Sequence, residues 1–235
     1  MRKKPNLVIF DLDGTLYDYE ENHQRGLRAL EQYLSDELGI DIPLVKSGLS
    51  IARTNVKNRL GPVASSHKRL LYIREFLCAN NNSVNFEISL RGEEIYWSAY
   101  LEEAVLFPDA QEFIELLKIS GVSLALVTDL NSEIQFRKIS WFQLENAFDF
   151  VITSEEAGGD KITGRPERFL SYQFKPLPEN IWCVGDQNYD HLFKSNSSFF
   201  LKTTADNENT ITNLSRPFSN YRDLIELFQS TLSLK

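Results

Sequence analysis

One stretch near the start of the chain constrains it most: Leu7-Val8-Ile9-Phe10-Asp11-Leu12-Asp13-Gly14-Thr15-Leu16. Four apolar residues run straight into two aspartates one residue apart. A short, unbroken apolar run reads as a strand buried on both faces. Side chains alternate along a strand, so Asp11 and Asp13 start on the same side, at its C-terminal edge. That edge is where open α/β sheets bind ligands. Two carboxylates about 4 Å apart repel by about 4 kcal/mol at an effective dielectric near 20. The pair therefore needs a dication, a shared proton or a positive neighbour. Gly14 permits a tight turn just past the acids. The bland alternative is an edge strand whose acids face water, and only the rest of the chain can decide.

The chain continues with a long helical stretch. Glu20 to Leu38 places Leu27, Leu30, Leu34 and Leu38 on one face, with Gly39 as its stop. Leu70 to Leu77 and Ile95 to Tyr100 form further helical clusters. Asn80-Asn81-Asn82-Ser83 reads as a break, and Val84 to Leu90 is ambiguous. No convincing strand is expected between 18 and 104, so this segment reads as an inserted subdomain. An α/β pattern resumes at Pro108. Asp109 and Glu112 suggest a capped helix reaching Gly121. Strands are expected at Val122–Val127, Phe148–Ile152, Ile181–Val184 and Phe199–Leu201, with a helix over 132–142. Pro166 opens a short helix. Residues 203–215 read as a polar loop, and a final helix from about Asn220 turns Leu224, Leu227, Phe228 and Leu232 inward. The expected fold is a Rossmann-like, doubly wound parallel sheet of residues 1–17 and 105–235. An all-helical cap subdomain, residues 18–104, is inserted into it.

Composition narrows the function. Formal net charge is −8 with 33 acidic against 25 basic residues, which disfavours a nucleic-acid surface. No signal core and no apolar run of spanning length is present, so no membrane role and a cytoplasmic location are expected. Cys78 and Cys183 stand far apart with no metal-binding spacing. Cys183 lies in an apolar run and reads as a buried thiol.

The polar clusters follow the apolar runs: Asp11 and Asp13, then Thr128, then Asp186 and Asp190. In a parallel sheet all of these meet at one edge. A carboxylate there can attack phosphorus, and a second can exchange protons with leaving oxygen and water. Asp186 and Asp190 offer hard oxygens suited to Mg²⁺. Each residue alone has a blander role as a loop acid or a strand-end hydroxyl. His23 and His191 read as solvated helix residues, and the sequence near His67 offers no motif to which it belongs. Tyr96, Trp97 and Tyr100 read as core, and Arg53, Lys57 and Arg59 as a solvated basic face.

Over residues 5–16 and 105–200 the order of these motifs resembles the haloacid dehalogenase superfamily, in its subfamily I phosphatase type. The resemblance implies Asp11 as nucleophile and Asp13 as general acid/base. It implies Thr128 and Lys161 as phosphate binders and a Mg²⁺ site of Asp11, Asp13 (through its backbone carbonyl), Asp186 and Asp190. The helical insert is similar to the family's C1-type cap, where substrate choice would reside. The superfamily's dehalogenases lack an aspartate at the place of Asp13, so the implied branch is phosphoryl transfer. Two departures stand out. Lys161 is followed by Ile162-Thr163-Gly164, with a proline only after Arg165, and the stretch after Asp190 is unusually polar. Arg165 thus competes with Lys161 for the third-motif place. Lys161 has the better upstream match and the more compact charge. The expected activity is hydrolysis of a small phosphorylated metabolite through an aspartyl-phosphate. The alternatives are a phosphomutase and a catalytically idle scaffold of the same fold. Neither the substrate nor the oligomeric state is legible.

Overall fold

The computed structural model describes residues 3–81, 85–203 and 212–232. The chain forms two compact units. One runs to Asp18 and resumes at Val105; the other is Tyr19–Ala104.

The first unit is built on six parallel strands: β1 (Leu7–Phe10), β2 (Ser123–Thr128), β3 (Phe150–Thr153), β4 (Ile181–Gly185), β5 (Ser197–Lys202) and β6 (Ser215–Phe218). They lie in the order β3-β2-β1-β4-β5-β6. The chain winds from β1 to one edge, returns, and winds from β4 to the other. The switch point therefore falls between β1 and β4, where such sheets bind ligands. Phe10 is in register with Leu126 on one side and Val184 on the other.

The apolar runs form strands because both faces are covered. Leu7, Ile9, Ala125, Val127, Ile181 and Cys183 share one buried face with Leu170. On the other, Phe10 packs edge-on against Phe113, and Trp182 packs tilted against Phe200 and edge-on against Phe228. Each such buried side chain contributes about 1.5–3 kcal/mol. Phe113 and Phe228 come from α5 (Ala110–Ile119) and α9 (Tyr221–Leu232), and Leu170 from α8 (Arg165–Ser171). The α6 (Ser132–Trp141) and α7 (Ser154–Ala157) helices complete this unit.

The second unit contains α1 (Tyr19–Leu38), α2 (Ile42–Leu60), α3 (Arg69–Ala79) and α4 (Phe86–Leu101), with a 3-10 turn at Ala64–His67. α1 and α4 pack closely because Gly26 lacks a Cβ, which would sit 2.8 Å from the Tyr96 ring. Tyr96, Trp97 and Tyr100 are buried core. No helix among the described residues is long and apolar enough to cross a membrane.

Several local expectations are corrected. Asp109 does not cap α5: its φ is +63°, and its carboxylate, like that of Glu112, pairs with Arg222 instead. β6 falls where a polar loop was expected to end. Its Ser-Arg-Pro-Phe sequence carries no apolar run, and Pro217 is tolerated because β6 is an edge strand. Residues 204–211 of that loop, Asn82 and Ser83 of the expected break, and Val84 of the ambiguous stretch lie outside the described residues. In α9, Ile225 and Thr231 are buried where Leu227 and Leu232 were expected. His191 is buried and stacked on Phe199, and His23 bonds the Tyr96 hydroxyl at 2.6 Å, so neither is a solvated helix residue.

Candidate active site

Asp11 extends the β1 ladder by one residue: its amide donates to the Val184 carbonyl at 2.9 Å. This holds its carboxylate at the switch point, 5% exposed. Thr15 Oγ1 donates to Asp11 Oδ2 at 2.9 Å. Lys161 Nζ lies 2.5 Å from Asp11 Oδ1 and 2.5 Å from Asp190 Oδ1. Asp186 follows β4 directly. Gly14 turns the chain at φ +82°, and a Cβ there would sit 2.8 Å from Asp186 Oδ2. The glycine is needed both for the conformation and for the close approach.

Asp11, Asp186 and Asp190 each bring a carboxylate oxygen within 4.8 Å of the others. Burial is the largest influence on all three and raises each carboxyl above its usual range. Neighbouring carboxylates push the same way, and Lys161 opposes them. Burial would lower the Lys161 ammonium, but Asp11 and Asp190 outweigh it and hold it well above the ordinary value. One ammonium among three carboxylates, two buried and one half-buried, leaves negative charge uncompensated. That donor set of hard oxygens fits a divalent cation.

Asp13 is brought to a different place. Its carboxylate accepts from Lys138 Nζ at 2.7 and 2.9 Å, from Gln135 Nε2 at 3.0 Å and from the Tyr17 hydroxyl. Burial would raise this carboxyl; the Lys138 charge and these hydrogen bonds outweigh it and hold it below the usual range. Gln135 Nε2 also donates to Thr128 Oγ1 at 2.6 Å, so one amide links the Thr128 hydroxyl to Asp13. Thr128 itself is fully buried at the end of β2.

Gln135, Lys138 and Asp129 were not singled out from sequence. Lys138 and Gln135 sit beside Ile134 and Ile139 on the buried face of α6. Two polar residues inside an apolar helical stripe were the available signal. Asp129 Oδ1 accepts from Ser154 Oγ at 2.9 Å and from the Lys161 amide at 2.8 Å. It thereby moors the loop that delivers the Lys161 ammonium. Arg165 does not reach the carboxylates; it donates to the Gly158 carbonyl.

The family model described as haloacid dehalogenase-like hydrolase matches residues 5–191. A ribulose-1,5-bisphosphate 5-phosphatase of Halopiger xanaduensis is 40% identical over 157 residues, 66% of this chain and 65% of that protein. The tyrosine-protein kinase PtkA of Mycobacterium tuberculosis is 26% identical over 190 residues, 80% of this chain and 58% of the kinase. The chain thus spans less than two thirds of the length of these curated relatives. Among solved structures, a 2-haloacid dehalogenase of Pseudomonas syringae pv. tomato shares the fold with a TM-score of 0.69 at 16% identity, covering 96% of this chain and 99% of that one. With the family model matched across the sheet strands β1 to β4 and all the carboxylates at their ends, this chain belongs to the haloacid dehalogenase-like hydrolases.

Proposed function

We propose that the protein is a Mg²⁺-dependent phosphatase of a small phosphorylated metabolite, working through an aspartyl-phosphate on Asp11. The observation that carries this reading is the buried Asp11 carboxylate at the β1/β4 switch point, in contact with the Lys161 ammonium and clustered with Asp186 and Asp190. The relative named as a ribulose-1,5-bisphosphate 5-phosphatase supports the reaction class and puts a sugar bisphosphate first among substrates to try.

Asp11, Asp186 and Asp190 would hold the cation, with Asp13 contributing its backbone carbonyl as the family resemblance implies. When bound, Mg²⁺ offsets the carboxylate charge and that of a phosphoryl group. The Asp11 carboxylate attacks phosphorus, the ester P–O bond breaks, and the leaving oxygen takes a proton from Asp13. Asp13 then removes a proton from water, whose oxygen attacks the acyl phosphate; phosphate leaves, and both aspartates return to their starting forms. Lys161 and Thr128 bind the phosphoryl oxygens. Paired as it is, Lys138 holds Asp13 ionised, the form able to accept a proton. Donation requires Asp13 protonated and turned away from Lys138.

The test is phosphate release from a panel of phosphorylated metabolites, with Mg²⁺ and with EDTA. Asp11→Asn, which changes little volume, should abolish turnover while the fold is kept. Full activity in Asp11→Asn excludes the covalent route, and activity indifferent to EDTA excludes the metal. Isomerised sugar phosphate in place of free phosphate would identify a phosphomutase, and a second phosphorylated acceptor a kinase. No turnover of any substrate would leave the idle scaffold.

A further inference from the structure

The carboxylate cluster lies where the strands end. The edge where they begin carries the opposite charge. Lys3 and Lys4 precede β1, Glu179 precedes β4, and Ser198 and Arg216 lie in the first turns of pleat of β5 and β6. With Trp182 they line a cleft of about 550 Å³. Small-molecule sites typically enclose about 300–1,000 Å³. The cleft thus gathers three cations, Lys3, Lys4 and Arg216, against one carboxylate, Glu179, in a chain of net charge −8.

The sheet itself builds this cleft. Asn180 Nδ2 donates to the carbonyls of Lys3 and Lys4 at 2.7 and 2.8 Å, and the Asn6 amide donates to the Asn180 carbonyl at 2.8 Å. These bonds moor the two lysines beside the start of β4. Trp182 stands opposite Ser198, and Phe200 opposite Arg216. Opposed residues share a face of the sheet, so a small serine beside a large indole leaves room there. The Arg216 guanidinium lies 5.8 Å over the Phe200 ring, on which Trp182 also packs.

The donors of the cleft are largely unused. Lys4 Nζ donates to the Ser120 carbonyl, which leaves two of its three protons. Among the described residues, neither Lys3 nor Arg216 forms an ion pair, and the Arg216 guanidinium makes no hydrogen bond. Trp182 is only 3% exposed, yet its indole N–H makes no hydrogen bond with any described residue. A buried indole N–H ordinarily finds an acceptor.

We propose that this cleft binds a phosphate group, free or carried by a small metabolite, against Lys3, Lys4 and Arg216, with the Trp182 indole N–H as an uncharged donor. A phosphate group brings about two negative charges and several acceptor oxygens, which suits three cations and one neutral donor. The planar Arg216 fork matches two of those oxygens. The site lies at the opposite strand ends from Asp11 and Asp186, and it does not rest on the function proposed above.

The experiment follows the indole N–H resonances of the full-length ¹⁵N-labelled protein, in EDTA and at constant ionic strength. The chain has three tryptophans, and the Trp182 signal is the one missing from Trp182→Phe. Titration with inorganic phosphate should shift it saturably. Lys3 and Arg216 are exposed, so Lys3→Ala with Arg216→Ala should keep the fold and weaken the apparent affinity at least tenfold. No saturable shift overturns the proposal, and so does a shift undiminished in the double variant. A shift that chloride reproduces at the same ionic strength overturns it as well. A second titration, with glycerol 3-phosphate, separates the sources. Affinity at least tenfold above that for inorganic phosphate assigns the site to a phosphorylated metabolite, and equal or weaker affinity assigns it to free phosphate. Absence of any phosphatase activity would sink the function proposed above and leave this titration unaffected.

Discussion

At the residue scale, two cations compete for one role, and geometry separates them. Lys161 touches Asp11 and Asp190, whereas Arg165 is spent on the Gly158 carbonyl. A compact ammonium fits between a carboxylate and a phosphoryl oxygen better than a broad fork does. Lys161→Ala is expected to cost several orders of magnitude in kcat. Arg165→Ala should cost about tenfold or less, about 1.4 kcal/mol. Steady-state kinetics on folded variants at saturating Mg²⁺ checks the ranking, and the reverse order would move the role to Arg165. Lys138 allows a second residue-scale prediction. Its side chain is fully buried and pairs with Asp13, 18% exposed. Removing one partner of a buried pair costs about 3–5 kcal/mol, and Asp13 keeps Tyr17 and Gln135. Lys138→Met is therefore expected to cost about 3 kcal/mol, a fall in Tm of about 6–12 °C for a chain of this size. Adding Asp13→Asn should restore part of that loss. Strictly additive losses in the double variant would mean that the two residues are not coupled.

At the scale of elements, the helical unit enters and leaves the sheet unit through neighbouring backbone. Tyr17 and Leu106 form an antiparallel bridge, and the Phe107 amide donates to the Leu16 carbonyl at 2.8 Å. Both bonds lie inside the sheet unit, so they survive excision of the insert. Replacing residues 20–103 with a short glycine-rich linker should leave a cooperatively folding core. Near-UV circular dichroism and cleavage of p-nitrophenyl phosphate are the readouts. A core that folds without cleaving this ester would show that the insert supplies more than substrate choice. Two of the corrected elements depend on pairing rather than on local pattern. Asp109 obeys a partner far along the chain, Arg222, and β6 forms by pairing with β5 although its own residues carry no strand pattern.

For the whole molecule, the two cysteines report on stability without any added probe. Cys78 is exposed, while Cys183 lies fully buried in β4, where burial pushes its thiol up to about 12. The thiolate is the reactive form, so a buried thiol of this kind is inert. Native protein treated with a thiol reagent should label Cys78 at once. Cys183 should label only as the sheet opens, at a rate that tracks global unfolding. Equal labelling rates for the two, read by mass spectrometry, would contradict the burial of β4.

What the sequence determined by itself was the kind of fold and the edge where chemistry gathers. Apolar runs such as Leu7–Phe10 and Ile181–Val184 must be covered on both faces, and an acid directly after such a run lands at the strand's C-terminal edge. That logic is local, so Asp11, Thr128, Asp186 and Asp190 are legible in the sequence alone. Only the tertiary structure decided which charges meet. Lys138 reaches Asp13 across 125 residues of chain, and Lys161 reaches Asp11 across 150. It also set two carboxylates that start one residue apart against different partners, Asp11 with Lys161 and Asp13 with Lys138. Periodicity tells which face of an element is buried. Which distant side chain is buried opposite it depends on how the faces pack, and for charged groups that pairing sets both the protonation state and the role.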